Sequence, residues 1–161
     1  MIWTKLKKAA ESLVADSLQG RIQYHLARYG PGVSYIMRRG WIAFDGHQIG
    51  NFSTIKRIRE RFARTGNWYS EDESVKARLD GEGCFTRDDF VNSLEEYIGL
   101  QVEDAIRSTN PIIRAVAMFD RRLGKRRLTS MSIADDEHQL VKISYQIRMQ
   151  AEGFSSQPKT A

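Results

Sequence analysis

The sequence has a single cysteine, Cys84, among its 161 residues. One thiol cannot form an internal disulfide, and it rules out a zinc finger built on cysteine ligands. The three histidines, His25, His47 and His138, show none of the short spacings that are typical of paired metal ligands. The sequence therefore predicts neither a disulfide framework nor a metal site.

Long apolar runs and phosphate-binding loops are missing as well. No stretch approaches the roughly 18 consecutive apolar residues of a membrane-spanning helix, and charged residues from Lys5 to Asp16 interrupt the N-terminus, unlike a signal peptide. No glycine-rich loop has the spacing of a nucleotide-binding fingerprint. These absences predict a soluble cytoplasmic protein without a cofactor or a membrane partner. They favour a non-enzymatic role, although a hydrolase with two carboxylates stays open because its acids need not be close in sequence.

Charge is abundant and unevenly distributed along the chain. The formal net charge is +5, but residues 1–66 carry +8, residues 67–109 carry −7 and residues 110–161 carry +4. This segregation has two interpretations. The folded protein has a basic face that attracts nucleic acid or another polyanion, or the acidic middle covers part of the basic flanks.

The hydrophobic pattern of the first third predicts a helix and three antiparallel strands. Apolar residues recur at helical spacing over residues 4–18, and the period changes to two over residues 22–26. Asp45-Gly46 lies between two apolar runs and predicts a tight hairpin, because glycine adopts positive φ at little cost. We expect the first helix to pack on one face of this sheet.

The rest of the chain is predicted to be mostly helical. Ser53 is placed to cap a helix whose narrow apolar stripe is Ile55, Ile58 and Phe62. Further helices are predicted over residues 73–79, 86–108, 110–124 and 133–152. The predicted fold class is therefore α+β, with an N-terminal helix and a three-stranded antiparallel sheet followed by a mostly helical C-terminal half. We predict one domain over residues 1–153 and a flexible tail over residues 154–161.

The first candidate site is the run 120–128, which holds five cations and one anion. It follows the predicted C-terminus of the helix that begins at Asn110, where cations are favoured and phosphate is repelled. The run is therefore either an intramolecular clamp, with Asp120 paired to one of its arginines, or an anion site formed by side chains alone. Arg126 and Arg127 exceed what capping requires, and the functional interpretation depends mainly on them.

The second candidate site is the basic side of the helix at 53–65, which lies opposite the apolar stripe. This side is suited to contact a phosphate backbone, or it is an ordinary solvated face with Glu60 bridging its neighbours. The acidic helix at 86–108 competes for the same arginines through Glu95, Glu96 and Glu103. The candidate nucleic-acid or anion contacts in the two segments are Lys56, Arg57, Arg61, Arg64, Arg121, Arg122, Lys125, Arg126 and Arg127.

Four short sequence elements resemble those of a known protein family. They are Trp3-x-Lys5-Leu6-Lys7-Lys8, Asp16-Ser17-Leu18-x-Gly20-Arg21-Ile22-x-Tyr24-His25, Gly40-Trp41-Ile42-x-x-Asp45-Gly46 and Asp120-Arg121-Arg122-x-Gly124-Lys125-Arg126. Through them the chain resembles a family of small, functionally uncharacterised bacterial proteins. The resemblance implies no activity, cofactor or partner, so no functional residue is carried over from it.

Together these observations predict a non-enzymatic binding module with a basic surface that binds nucleic acid or another polyanion. The alternative is a protein–protein interaction or self-assembling module, in which basic and acidic surfaces pair between chains. The third hypothesis is an enzyme whose site the sequence does not announce. Among the tryptophans, Trp41 is the candidate for stacking on a nucleic-acid base, because it is next to Arg38 and Arg39.

Overall fold

The computed structural model describes residues 1–27, 31–32 and 34–154. The predicted tail therefore lies outside the described residues except for Phe154. The helices are α1 (Trp3–Ser12), α2 (Thr54–Thr65), α3 (Glu73–Gly81), α4 (Arg87–Gly99), α5 (Val102–Ala105), α6 (Pro111–Met118), α7 (Lys125–Ser130) and α8 (Gln139–Ala151). The strands are β1 (Ile22–Leu26), β2 (Arg39–Phe44) and β3 (His47–Ser53), and two short 3₁₀ helices span Asp16–Leu18 and Tyr35–Met37.

The predicted α+β class is confirmed. The three strands form one antiparallel sheet in the order β1-β2-β3. Asp45 (φ 48°) and Gly46 (φ 80°) both take positive φ between β2 and β3, as the hairpin prediction requires. Ile22 and Tyr24 are buried on the inner face of the sheet, whereas His25 lies on the outer face opposite Trp41.

Helices cover the inner face and one edge of the sheet. Phe90 of α4 stacks on Phe52 of β3 with ring centroids 4.4 Å apart and nearly parallel planes. α1 packs beside β1, where the Oε1 atom of Glu11 accepts a hydrogen bond of 3.1 Å from the backbone N–H of Tyr24. α6 is buried almost all round and packs extensively on α8, so it is central to the core.

Two predicted helices end earlier than the sequence pattern indicated. α1 ends at Ser12 instead of residue 18, and α6 ends at Met118 instead of Gly124. The reason is a tertiary contact, because the chain leaves both helices to form an antiparallel bridge between Val14 and Asp120. The N–H of Ala15 donates to the carbonyl of Phe119, and the N–H of Arg121 donates to the carbonyl of Leu13, both at 2.7 Å.

Two other helices also have boundaries that differ from the prediction. The helix predicted over 86–108 begins with the expected capping box of Thr86 and Asp89 but stops at Gly99, and α5 follows separately. The last helix begins at Gln139 instead of residue 133, because His138 is its N-cap. The predicted short helix near residue 73 is confirmed as α3.

Gly40 lies where the sheet and α4 approach most closely. A Cβ atom on Gly40 would lie 2.7 Å from Cδ1 of Phe90 and 2.9 Å from Cδ2 of Leu26. We expect Gly40→Ala to lower the free energy of unfolding by about 1–3 kcal/mol through overpacking. Gly99→Ala is the matched control, because Gly99 ends α4 and has open space around it. The free energy of unfolding of this variant should be unchanged or slightly raised. Equal stability of the two variants in urea unfolding would contradict this account.

His138 links pH to the start of α8. Its Nδ1 atom accepts from the backbone N–H of Leu140, and Nε2 lies 3.3 Å from the carbonyl oxygen of Asp80. Burial lowers the pKa of His138, and the positive charge of Arg114 lowers it further, whereas the Asp80 carbonyl and Glu137 act in the opposite direction. His138 is therefore neutral in the folded protein near neutral pH.

We expect stability to fall as pH decreases through about 6.5, the pKa of histidine in an unfolded chain. Below that pH the unfolded state binds a proton that the folded state accepts only at lower pH, so the free energy of unfolding rises with pH across this window. His138→Asn keeps a capping acceptor but cannot titrate, so its stability between pH 7 and 5 should change less. Parallel pH profiles for the two proteins in denaturant titrations would refute the assignment.

Candidate functional site

The predicted cluster at 120–128 is organised around the carboxylate of Asp120, which is fully buried. Its Oδ2 atom accepts from the hydroxyl of Tyr97 at 2.6 Å and from Nη2 of Arg122 at 2.7 Å, and Oδ1 accepts from the backbone N–H of Arg122 at 2.8 Å. Hydrogen bonding to Asp120 raises the pKa of Arg122, and burial raises that of Tyr97. The expected pairing of Asp120 with an arginine of the cluster is confirmed.

A second buried group supports the same turn. The guanidinium of Arg148 donates to the carbonyl oxygens of Met118, Asp120 and Leu123 at 2.8–3.1 Å. Its Nε atom donates to Glu152 at 2.9 Å. Burial alone would raise the pKa of Glu152, but hydrogen bonds from Ser17, Arg148 and Lys125 outweigh it and lower that pKa.

Most cations of the cluster already have carboxylate partners. Arg127 bonds to Glu103 at 2.8 Å, Lys125 lies 3.3 Å from Glu152, and Arg121 lies 3.6 Å from Asp16. Arg126 is exposed, and within residues 1–27, 31–32 and 34–154 no carboxylate lies within ion-pair distance of it. The geometry therefore matches the clamp interpretation for four of the five cations.

The helical context of the cluster differs from the prediction. Lys125, Arg126 and Arg127 do not follow a helix C-terminus, because Gly124 is the N-cap of α7 and these three residues form its first turn. Cations in a first turn are opposed by the helix dipole, so capping does not explain them. The ion pairs of Lys125 with Glu152 and of Arg127 with Glu103 compensate for the position of these two cations.

Of the four arginines of α2, Arg57 is buried and Arg61 is partly buried, whereas Arg59 and Arg64 are exposed. Arg57 is 9% exposed, and its Nη1 atom donates to Asp80 and, at 2.8 Å, to the carbonyl of Cys84. Arg64 makes two hydrogen bonds to Glu82, and these raise its pKa. Arg61 is partly buried, with an Nε atom that has no hydrogen-bond partner among the described residues. Lys56 is exposed, so of the α2 candidates it is the one placed to meet a ligand directly.

The two basic segments contact different parts of the fold. α2 packs on α3 and on the 3₁₀ helix at 35–37. The cluster at 120–128 instead pairs with Asp16, Glu103 and Glu152. The acids predicted on the helix at 86–108 do not share one basic partner. Glu103 accepts a hydrogen bond from Arg127, whereas Glu95 accepts one from the amino group of Met1.

A third surface lies at the start of β2, where the sequence had indicated Trp41 beside Arg38 and Arg39. The guanidinium of Arg39 lies over the ring of Trp41, 4.7 Å from its centroid, and that of Arg38 lies 5.1 Å from the centroid of Tyr35. His25 stacks on Trp41 with centroids 5.0 Å apart. Arg38 and Arg39 have no ion-pair partner in the part of the chain that the structure describes. We call His25, Tyr35, Arg38, Arg39 and Trp41 the β2 strip.

The β2 strip adjoins the first turn of α2. Arg39 is paired with Ser53 in the sheet register, and the N–H of Thr54 donates to the carbonyl of Arg38 at 3.3 Å. Ser53 caps α2 by accepting from the N–H of Lys56. The hydroxyl of Tyr35 donates to Asp88, a carboxylate that Arg87 also contacts. The strip thus brings aromatic rings and cations together next to the N-terminus of α2, an arrangement that depends on the sheet register and not on local sequence.

A polar cleft of about 450 Å³ lies between α2, α3, α4 and the start of α6. Its charged lining residues are Arg57, Lys76, Asp80, Asp89 and Glu96. Arg57 and Asp80 are bound to each other, and Asp89 accepts from the backbone N–H of Thr86 at 2.7 Å to cap α4. An enzyme would require convergent titratable groups in this cleft. Three of those present, Arg57, Asp80 and Asp89, already make contacts that stabilise the helices.

Within the described ranges, no three His, Cys, Asp or Glu side chains are placed to hold a metal ion. Across residues 1–27, 31–32 and 34–154, no helix has both the length and the apolar character needed to cross a membrane. Cys84 is buried, and burial raises the pKa of its thiol.

Comparison with known proteins identifies the family. The model of the SF0329 protein family matches residues 2–149. The chain belongs to the SF0329 protein family. Neither a curated protein nor a solved structure matches it. The SF0329 match confirms the resemblance carried by the N-terminal motifs and the 120–128 run, and it names no function.

The Asp120 cluster gives a direct test of the clamp. We expect Asp120→Asn to lower the free energy of unfolding by about 2–3 kcal/mol, because it weakens hydrogen bonds between a buried charge and its donors. Asp16→Asn is the matched control, since the carboxylate of Asp16 is 87% exposed and lies 3.6 Å from Arg121. It should change stability by no more than about 0.5 kcal/mol. Similar losses for both variants in denaturant unfolding would argue against a special role for Asp120.

Proposed function

We propose that the protein is a non-enzymatic nucleic-acid-binding module whose contact surface is the β2 strip together with Lys56. The observation that carries the proposal is the pairing of aromatic rings with cations that have no carboxylate partner among the described residues. Phosphate neutralisation by such cations supplies most of the affinity in non-specific nucleic-acid binding. The net charge of +8 over residues 1–66 supports the same surface.

The proposal changes the contacts expected from the sequence. Arg57, Arg64, Arg122 and Arg127 contribute little to binding, because phosphate would have to displace their carboxylate partners. Lys56 and Arg126 remain candidate contacts, since both are exposed. Arg38 and Arg39 are added to them.

Salt dependence provides the test. For a labelled oligonucleotide followed by fluorescence anisotropy, we expect affinity to fall steeply with salt. The double variant Arg39→Gln, Lys56→Gln should weaken binding and reduce the slope of log affinity against log salt by about two. The matched control is Arg121→Gln, Lys125→Gln, which removes the same net charge from exposed but paired cations and should keep the slope nearly unchanged.

Three outcomes would contradict the proposal. They are absence of binding at low ionic strength, binding that does not depend on salt, and equal losses in the two double variants. The last of these would mean that only total charge matters. Circular dichroism of each variant establishes that the fold is retained.

A further inference from the structure

The exposed large apolar side chains concentrate around α2. Besides Met1 and Ile2, the described residues of this kind are Tyr35, Ile36, Met37, Phe62, Trp68 and Tyr69, with exposures from 37% to 85%. The 3₁₀ helix that carries the first three packs against α2, and Phe62 lies on α2 itself. Large apolar side chains exposed in this number around one helix point to a binding surface.

Two of these rings are held in place by each other and by the turn that ends α2. Phe62 and Trp68 stack with centroids 3.9 Å apart and planes 13° from parallel. Gly66 ends α2 with φ +67°, and the side-chain oxygen of Asn67 accepts from the N–H of Tyr69 at 2.9 Å. Both Phe62 and Trp68 remain more than one-third exposed. Because the turn and the stack restrict these aromatic residues beforehand, little conformational entropy is lost when a ligand binds them.

The charges around these rings select an anionic ligand. Residues 34–69 contain seven Lys and Arg but only two acids, Asp45 and Glu60. Asp45 is paired with Arg21, and Arg57 and Arg64 are paired with Asp80 and Glu82, which lie outside this range. Among the described residues, the cations of this range without an ion-pair partner are Arg38, Arg39, Lys56, Arg59 and Arg61. Of the acids that follow Tyr69, Asp72 caps α3 and Glu73 pairs with Lys76. An uncharged or basic partner would leave the excess cations uncompensated, so the complementary occupant is a polyanion with planar, apolar groups.

We propose that this surface binds single-stranded nucleic acid, with unpaired bases stacked on Trp68, Tyr69 and the Phe62 ring and phosphates on Lys56 and the β2 strip. The inference depends on the nucleic-acid-binding function proposed above. Base–aromatic stacking combined with a basic groove is the general mode of single-strand recognition. Bases within a duplex are stacked on each other and cannot reach these rings, so the rings discriminate against duplex.

The dimensions agree with an extended strand. Six residues separate Lys56 from Phe62 on α2, and at 1.5 Å per residue this places them about 9 Å apart along the helix axis. At 3.6 residues per turn the two side chains are also about 120° apart around the helix, so a strand that reaches both must cross α2 obliquely, from Lys56 at its start to the rings at its end. This spacing matches binding over a few consecutive nucleotides.

The test compares three polyanions by fluorescence anisotropy. They are a labelled oligothymidylate of about 16 nucleotides, the upper site size of one single-strand-binding fold, a labelled duplex of equal length, and unlabelled heparin as a competitor without bases. We expect the oligothymidylate to bind more tightly than the duplex. Trp68→Ala and Tyr69→Ala should each weaken oligothymidylate binding roughly 5- to 100-fold and leave duplex binding nearly unchanged.

Conservative variants separate stacking from structure. Tyr69 is 85% exposed, so Tyr69→Ala should fold normally, and Tyr69→Phe keeps the ring and should restore binding. Equal affinity for duplex and single strand, or unchanged binding by the two alanine variants, would overturn this inference. Salt-dependent binding lost in Arg39→Gln, Lys56→Gln would then still support the broader function.

Other outcomes would remove both proposals. Absence of salt-dependent binding to either nucleic acid would reject the function and the single-strand inference together. Self-association in light scattering that disappears in Trp68→Ala, without any oligonucleotide binding, would assign the rings to a contact between protein chains. A third result would reject the single-strand inference alone, because it would show that bases contribute nothing. In that result, heparin displaces the oligothymidylate at equal concentrations from the alanine variants and from the unaltered protein.

Discussion

The fold depends on one buried guanidinium. The side chain of Arg148 is 3% exposed, and it binds the backbone carbonyls of Met118, Asp120 and Leu123. Those carbonyls lie at and just after the end of α6, and that of Asp120 also accepts from the N–H of Leu123 at 3.1 Å. A buried carbonyl left without a partner costs about as much as a lost hydrogen bond. Glu152 compensates the charge of Arg148 and connects it to Ser17. One side chain therefore joins the end of α6, α8 and the segment after α1.

Charge density along the chain is a poor measure of the charge available to a ligand. The densest cationic run, at 120–128, is largely paired with carboxylates more than 20 residues away, such as Glu103 and Glu152. The sparser cations Arg38, Arg39 and Lys56 have no such partner among the described residues. Which cations remain free is decided by the acids that folding brings near them, and that information is not local.

Features set by local chemistry were predictable, and those set by tertiary contacts were not. The Asp45-Gly46 hairpin and the Ser53 cap depend on neighbouring residues, and both occur as predicted. The end of α6 depends on the bridge between Val14 and Asp120. A hydropathy pattern cannot predict this contact, because the two residues are 106 positions apart in sequence. The burial of Arg57 likewise depends on Asp80, which turns a predicted solvent-facing arginine toward α3.

The hydrogen bond between Glu11 and Tyr24 also bears on how the sheet meets other chains. β1 is an outer strand, and its free backbone N–H groups would normally be a template for another strand. At Tyr24 that donor is already occupied by a side chain of α1. A strand approaching from this side would have to displace both the carboxylate and the helix that carries it. The first helix therefore protects β1 against edge-to-edge pairing and aggregation.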